Sequence, residues 1–329
     1  MLRGLLLAIG ANALWATAFV APLLLPSTEP MAIVTVRYAV FGLSSLVVLL
    51  IVLRRSPIPD ASDARSSQAI LSPSAWGAAL VLTLFGNVLY YACLAASLRM
   101  AGTAMPTLII GMLPVVVALI GAMGERGVPW LALGASCALM VGGLAIVHVA
   151  GMHGTTPLVA DDDRYGIGVA LAVAALASWT VYGIGNAAYL RRRPATGMVT
   201  WTSMTGVATL PLLVPLVLIT GGPGTLRFGD MALETGDGAL RIAVVGVVLG
   251  LGTSWAATWL WNGASAVLPT RLLGQLIVVE TLMALVLAAL VRWEMPSGAV
   301  IVGAAMLLTG VLWGIRIAPG PPVPGQTVQ

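Results

Sequence analysis

The chain alternates between long apolar runs and short polar links, and ten such runs can be counted along it. Each run holds roughly 20 residues, enough at about 1.5 Å per residue to cross the ~30 Å hydrocarbon core of a bilayer as a helix. The predicted spans cover residues 4–25, 31–53, 75–98, 103–123, 129–150, 165–190, 197–220, 240–262, 267–291 and 296–316. The pattern therefore predicts an all-α, polytopic membrane protein.

Composition supports this class. Of the 329 residues, 59% are hydrophobic and 9% are charged, and the mean hydropathy is +1.00, whereas soluble domains carry about 25% charged residues. The longest links, 54–74 and 221–239, leave no room for a soluble catalytic domain. The first run is long for the apolar core of a signal peptide and nine more runs follow, so we expect a retained first helix.

The basic residues predict the orientation. All sixteen cationic side chains are arginine, and the acids favour the opposite side. If the spans alternate, one side carries Arg3, Arg54, Arg55, Arg65, Arg126, Arg191, Arg192, Arg193, Arg271 and Arg316, and the other carries Arg99, Arg164, Arg227, Arg241 and Arg292. The positive-inside rule then places both termini in the cytoplasm of a multi-pass, bacterial-type inner-membrane protein. The basic charge is a topology signal and does not indicate a nucleic-acid partner.

The two halves of the chain resemble each other. Residues 1–150 and 165–316 each hold five spans, and residues 317–329 are expected to form a disordered cytoplasmic tail. The collinear matches pair Trp15 with Trp179, Val34-Thr35 with Val199-Thr200, Gly124-Glu125-Arg126 with Trp293-Glu294-Met295, and Gly134 with Gly303. Because five is odd, the second half must enter the membrane inverted, which predicts two inverted-topology five-helix repeats.

Short segments also carry a resemblance to a known family. They are Ala13-Leu14-Trp15-Ala16-Thr17-Ala18-Phe19-Val20, Val36-Arg37-Tyr38, Pro114 followed by Gly124-Glu125-Arg126, and Leu139-Met140-Val141-Gly142-Gly143. Over nearly its whole length the chain resembles the drug/metabolite transporter (DMT) superfamily, specifically its EamA-type members, and its aromatic-rich interior is similar to the aromatic amino-acid exporter branch. The resemblance implies two EamA-like repeats and export of amino acids. The second half departs from the pattern, since no basic residue follows Glu294.

Four predicted helices each place an amide and aromatic rings on one face. The residues predicted to line a central cavity are Asn12, Trp15 and Phe19 in the first span, Asn87, Tyr90 and Tyr91 in the third, Trp179, Tyr182 and Asn186 in the sixth, and Trp255 and Trp259 in the eighth. Amides at mid-membrane need a partner or water, which favours inward-facing positions. The alternative stays open, because asparagine also links helices as structural glue and tryptophan is enriched at membrane interfaces.

Two ionisable residues fall inside spans and are candidates for coupling or gating. Glu280 lies near the centre of the ninth span, where it could couple protons, bind a substrate ammonium group or form a structural pair. Arg37 lies about 9 Å inside the second span by helical rise. It could snorkel outward, pair with Glu280 or attract a substrate carboxylate, and the resemblance favours a structural or gating role.

Proline and glycine mark possible hinges. Pro106, Gly111 and Pro114 interrupt the fourth span, Pro211 and Pro215 interrupt the seventh, and Pro269 opens the ninth. Each is either a pivot or a static kink.

Catalytic and metal-binding motifs are not evident. Asp161-Asp162-Asp163 and the pair His148 and His153 lack the supporting ligands of a metal site, and the sequence contains no nucleotide-binding loop or lysine. We therefore expect neither enzymatic activity nor a cofactor.

These features together predict a secondary transporter that exports small metabolites, most readily aromatic or other neutral amino acids, by alternating access through a central cavity. The expected partners are the small-molecule substrate and the lipid bilayer, and the expected state is a monomer. The alternatives are a proton-coupled multidrug efflux carrier and, from another class, a non-transporting scaffold or sensor subunit. Substrate identity, direction, uniport versus proton antiport, and resting conformation stay undecided at this level.

Overall fold

The structure is a computed structural model that describes residues 1–19, 30–55, 70, 72–102, 104–125, 127–152, 164–220 and 236–317. The predictions made for Arg126, His153, the 161–163 acids and the tail beyond Ile317 lie outside these residues.

Ten helices long and apolar enough to cross a membrane make up the described chain, with no strand among them. They are α1 Leu2–Phe19, α2 Ala32–Arg54, α3 Pro73–Ala101, α4 Ala104–Met123, α5 Trp130–Ala150, α6 Tyr165–Arg192, α7 Met198–Leu218, α8 Ala243–Val267, α9 Thr270–Val291 and α10 Gly298–Arg316. This confirms the all-α polytopic class, and the predicted spans agree with the helices to within a few residues over the described positions. The last three residues of α1, Thr17–Phe19, narrow to a 3₁₀ turn.

The two halves of the chain interleave in space. Each of the most extensive helix pairings joins one helix of the first half to one helix of the second half. These pairings are α5 with α10, α2 with α7, α3 with α6, α1 with α8, and α4 with α9. Lesser pairings follow the same scheme, since α1 packs on α9 as α6 packs on α4, and α2 packs on α8 as α7 packs on α3. If each helix is exchanged for the helix at the same position in the other half, this set of pairings is unchanged. The pattern is the one expected of an internal duplication, whose membrane inversion stays a prediction.

Among the described residues, four helices depart from regular α geometry in their interior, in two related pairs. Helix α3 widens to a π-helix over Leu84–Leu89, and α8 does so over Leu249–Ala256. Helix α4 breaks at one residue, Met112, and α9 breaks at one residue, Ile277. Since α3 and α8 hold the third place in their halves, and α4 and α9 the fourth, the irregularities recur at matching positions.

The end of the bundle that carries Gly4, Glu125, Leu268 and Ile317 is called the inner end, after the predicted orientation. It is tightly closed: a Cβ on Gly4 would meet the Leu268 side chain, and one on Gly121 would meet the backbone of α9. Every residue of the first segment of α9, Thr270–Leu276, is buried. The core here joins α5, α9 and α10, and it includes Cys137, which is a free, buried thiol.

Candidate functional site

Aromatic side chains from three helices meet near the inner half of the bundle. The Trp15 ring of α1 lies 5.2 Å from Trp261 and 6.5 Å from Trp179, measured between centroids. Trp179 in turn lies 6.3 Å from Trp261 and 5.7 Å from Tyr182, edge to face with the latter. Trp261 is 1% exposed. The three tryptophans therefore fill the space between α1, α6 and α8 and separate the middle of the bundle from its inner end.

A chain of hydrogen bonds lies beside these rings. The Trp201 indole N–H donates to Asn186 Oδ1 (2.7 Å), Asn186 Nδ2 donates to Asn262 Oδ1 (2.8 Å), and Asn262 Nδ2 donates to Thr202 Oγ1 (2.8 Å). All four residues are buried. Asn186 was predicted to line the cavity, but its partners close it off, so it joins α6, α7 and α8 as structural glue.

Two more predicted cavity residues of α1 occupy different surroundings. Asn12 is fully buried and donates back along its own helix to the Ala8 carbonyl at 2.7 Å. Phe19 lies at the other extreme, with 60% of its surface exposed at the outer end of α1. Neither side chain therefore belongs to the aromatic groups at the centre of the bundle. Asn12 is fully buried, and Phe19 lies at the end of its helix.

A second aromatic group lies higher, on α2 and α3. Tyr38 and Tyr91 are 5.7 Å apart and Tyr90 and Tyr91 are 5.1 Å apart, both edge to face. The Tyr38 hydroxyl donates to Asn87 Oδ1 at 3.3 Å. Asn87, Tyr90 and Tyr91 are only partly buried. These predicted residues are thus brought together, with Tyr38 as a member that the face pattern of α3 alone could not reveal.

The π-helix of α3 positions this group. Widening a helical turn leaves carbonyls without their usual partners, and here Ser178 of α6 donates to the Phe85 carbonyl at 2.7 Å. Gly86 lets α3 approach α6 closely, since a Cβ there would meet the Tyr182 ring. The widened turn ends at Leu89, directly before Tyr90 and Tyr91.

Arg37 is held by the other π-helix. Its Nε donates to Ser254 Oγ at 2.7 Å, and its guanidinium carbon lies 5.6 Å from the centre of the Tyr38 ring. Ser254 lies within the π-helix of α8, where Gly250 allows contact with Val40 and the Arg37 carbonyl of α2. One edge of the guanidinium is therefore fixed, while the two terminal Nη groups make no hydrogen bond or ion pair among the described residues.

Glu280 lies in the first turn of the outer segment of α9, Val278–Arg292, which begins just after the break at Ile277. A helix N-terminus stabilises a carboxylate. Glu280 is partly buried, and its carboxylate oxygens have no hydrogen-bond or ion-pair partner within the described ranges. It does not pair with Arg37 within 4.0 Å, although the two groups lie near enough to influence each other electrostatically.

These residues come from helices that do not pack side by side. The outer segment of α9 packs mainly on α1 and α10, while α3 packs mainly on α6 and α7. The end of α1, Thr17–Phe19, nonetheless contacts both the outer segment of α9 and the π-helix of α8 that anchors Arg37, so Glu280 and Arg37 lie in the same region of the bundle. The group of Arg37, Tyr38, Asn87, Tyr90, Tyr91 and Glu280 is called the central cluster.

The remaining predicted aromatics of α8 lie beside the cluster. Trp255 and Trp259 stack with centroids 6.3 Å apart, and the Trp255 N–H donates to Ser203 Oγ at 3.3 Å. Both are partly buried. They extend the aromatic surface along α8 from the level of Ser254 toward the inner end.

The candidate hinge of α4 is centred on the break at Met112, between Gly111 and Leu113. Pro114 lies in the first turn after the break and Pro106 in the first turn of the segment Ala104–Gly111, where a missing N–H costs no intrahelical bond. Gly111 and Pro114 therefore flank the irregular residue, and Pro106 does not interrupt the helix. In α7, Pro211 and Pro215 sit within a continuous helix, whereas Pro269 caps α9 as predicted.

An ion pair closes the inner end. Arg271 Nε donates to Glu125 Oε2 at 3.0 Å, and both of its terminal nitrogens reach the Ile317 carbonyl at 3.3–3.4 Å. Beside it, Arg191 donates to Thr270 Oγ1 at 2.8 Å and to the Leu268 carbonyl at 3.3 Å. Glu294, the counterpart of Glu125 in the second half, is exposed. The departure noted in the sequence therefore coincides with a structural difference between the two links.

A groove of about 620 Å³ lies elsewhere, between α5 and α10 at the inner end. It is lined by Pro129, Ala132, Thr309, Leu312, Trp313, Arg316 and Ile317. None of the predicted site residues borders it.

Comparison with known proteins places the chain in a family. No family model matches. The fold is shared with a solved crystal structure at a TM-score of 0.70, over 94% of this chain and 95% of the other, with 20% sequence identity. The sequence is 32% identical to the inner membrane protein YtfF of Escherichia coli (strain K12) over 327 residues, which is 98% of each protein. A match of this extent, on a chain with ten membrane-spanning helices, shows that the protein belongs to the same family of inner-membrane proteins as YtfF.

Proposed function

We propose that this protein is a secondary transporter that exports small amphipathic metabolites, most readily aromatic or other neutral amino acids, by alternating access. The observation that carries the proposal is the central cluster: a guanidinium, a carboxylate that has no partner among the described residues, and three phenol rings, from α2, α3 and α9, inside the bundle. Such groups inside a membrane protein mark a solute pathway by default. The relationship to the DMT superfamily remains part of this proposal.

Alternating access requires the inner end to open and close. In the arrangement described, the Arg271–Glu125 pair and the three-tryptophan contact both close it. Export begins with solute entry from the cytoplasm, so this end must separate during the cycle. The matched breaks of α4 and α9 provide places where each helix can bend without losing regular hydrogen bonds elsewhere.

The test is counterflow in liposomes that contain the purified full-length protein, with radiolabelled aromatic and aliphatic amino acids. We expect accumulation of label in vesicles preloaded with unlabelled amino acid, and none in protein-free vesicles. Absence of accumulation for every amino acid, with protein that elutes as a single folded species, would contradict amino-acid transport.

Proton-coupled efflux of lipophilic cations is the second candidate, and Glu280 favours it, because a lone carboxylate can bind either a proton or a cation. Repeating the assay with an imposed pH gradient separates the two. If the gradient drives flux, Glu280→Gln abolishes the stimulation, while Glu294→Gln, at an exposed site, keeps it. A scaffold or sensor subunit would move no solute under any of these conditions.

A further inference from the structure

Arg37 and Glu280 carry opposite charges, lie in the same region of the bundle and do not pair. The end of α1, Thr17–Phe19, contacts both the outer segment of α9, which carries Glu280, and the π-helix of α8, which anchors Arg37, but no ion pair joins the two charges within 4.0 Å. Arg37 is anchored through Nε on Ser254, which leaves its Nη groups available. Glu280 has no partner among the residues that the structure describes, and its side chain is only partly buried.

Charges at mid-membrane are costly unless they are compensated. At the inner end, by contrast, the same chain forms a direct ion pair between Arg271 and Glu125 at 3.0 Å. Arg37 and Glu280, which share surroundings without pairing, therefore offer complementary charges to a ligand. A ligand of this kind carries an anionic and a cationic group close together, with a net charge of zero.

We propose that Arg37 and Glu280 form a recognition site for zwitterionic solutes, in which Arg37 binds the carboxylate through its Nη groups and Glu280 binds the ammonium group. This inference rests on the proposed transport function and names the substrate class of that site. Guanidinium groups suit carboxylates because two parallel N–H donors match the two oxygens. The Ser254 contact fixes the plane of the Arg37 group, so less entropy is lost on binding.

The tyrosines supply the apolar part of the site. Tyr90 and Tyr91 adjoin the two charged groups, and the edge-to-face contacts hold Tyr91 against Tyr38 and Tyr90. A planar or branched apolar side chain can pack on such rings. The site therefore favours neutral α-amino acids with apolar side chains over solutes that carry a single charge.

The test uses three ligands that differ by one charged group. L-phenylalanine carries both groups, phenethylamine lacks the carboxylate, and 3-phenylpropionate lacks the ammonium group. Binding to the purified full-length protein is measured by competition against tritiated phenylalanine. We expect phenylalanine to bind about 10- to 100-fold more tightly than either analogue, the range expected for one hydrogen-bonded charge.

Two variants assign each charge. Glu280→Gln loses the preference for phenylalanine over 3-phenylpropionate and keeps the preference over phenethylamine, and Arg37→Gln shows the opposite pattern. Because each variant removes only one of the two preferences, a general loss of packing cannot imitate the result. Glu294→Gln and Arg3→Gln, both at exposed positions, are the matched controls and keep both preferences.

The proposal is overturned if wild-type protein binds either analogue as tightly as phenylalanine, if it binds none of the three ligands, or if both variants weaken all three ligands equally. The wild-type series alone decides the first two outcomes, so the test does not depend on variants that fold. Counterflow in vesicles made from the same preparation is read in parallel. Flux of any solute without a zwitterion preference rejects the recognition site and retains the transporter, whereas binding without flux rejects the transporter.

Discussion

Arg271 in the inner segment of α9 and Glu280 in the outer segment are two charged residues with opposite surroundings. Arg271 in the inner segment is 5% exposed and forms an ion pair with Glu125 of α4. Glu280 in the outer segment is partly exposed and has Arg37 of α2 nearby without a pair. Each place has one arginine and one glutamate, but the surroundings differ. All seven residues of the inner segment, Thr270–Leu276, are buried, while the outer segment faces the middle of the bundle.

The difference separates structural charges from available ones. The Arg271–Glu125 pair, in which both terminal nitrogens of Arg271 also reach the Ile317 carbonyl, stabilises the closed inner end. Arg37 and Glu280 form no such pair, so their charged groups are the ones that a ligand can engage. The amides repeat the contrast, since Asn186 is fully buried with two partners, and Asn87 is partly buried with a single long hydrogen bond.

The strongest test of this contrast compares two glutamate-to-glutamine changes. Glu125→Gln leaves the buried Arg271 guanidinium without its counter-charge, which we expect to cost on the order of 3 kcal/mol of stability. Glu280→Gln removes an uncompensated charge, so stability is expected to hold or rise. The measurement is the thermal unfolding midpoint of each purified variant in detergent. An equal loss in both variants would show that Glu280 is as structural as Glu125.

The amide contrast predicts a smaller effect. Asn186→Leu leaves the Trp201 N–H and the Asn262 carbonyl oxygen without partners in a dry interior, at an expected cost of about 1–3 kcal/mol. Asn87→Leu removes one 3.3 Å bond to Tyr38 and should cost less than half as much. Unfolding midpoints measured side by side decide the point, and the reverse order would contradict the assignment of Asn186 to the structural group.

The smallest effect is expected at Tyr189, which stacks on Trp201 at 3.9 Å. Its hydroxyl is buried without a hydrogen-bond partner among the described residues. Tyr189→Phe keeps the stacking and removes the unsatisfied group, so stability should stay within about 1 kcal/mol of wild type or increase. A clear decrease would show that this hydroxyl has a hydrogen-bond partner and would contradict its assignment as an unsatisfied group.

The helices could be predicted from the sequence because each depends on its own run of apolar residues. The same holds for the start of α9 at Pro269. A helix break could be predicted where a local breaker exists. Pro114 marks the break in α4, but the matching break at Ile277 lies between the apolar residues Leu276 and Val278, and no local signal predicts it.

The roles of the polar side chains could not be read from one helix at a time. Asn186 and Asn87 look equivalent as amides among aromatics on one helix face. Their difference comes from partners on other helices: Trp201 is 15 residues from Asn186 and Asn262 is 76 residues away. Ser254, the anchor of Arg37, is 217 residues from it. Such partners become visible only when the fold brings the helices together.

The π-helix of α3 also fixes the rotation between the two ends of that helix. Below it, Thr83 donates to the Thr205 carbonyl of α7 and is buried; above it, Tyr90 and Tyr91 face the central cluster. A π-helix takes about one residue more per turn than an α-helix, because its hydrogen bonds run from residue i to i+5, and an α-helix turns about 100° per residue. If the same residues were wound as a regular α-helix, Tyr90 and Tyr91 would therefore swing by about that angle relative to Thr83. The widened turn over Leu84–Leu89 thus decides which residues of α3 belong to the central cluster.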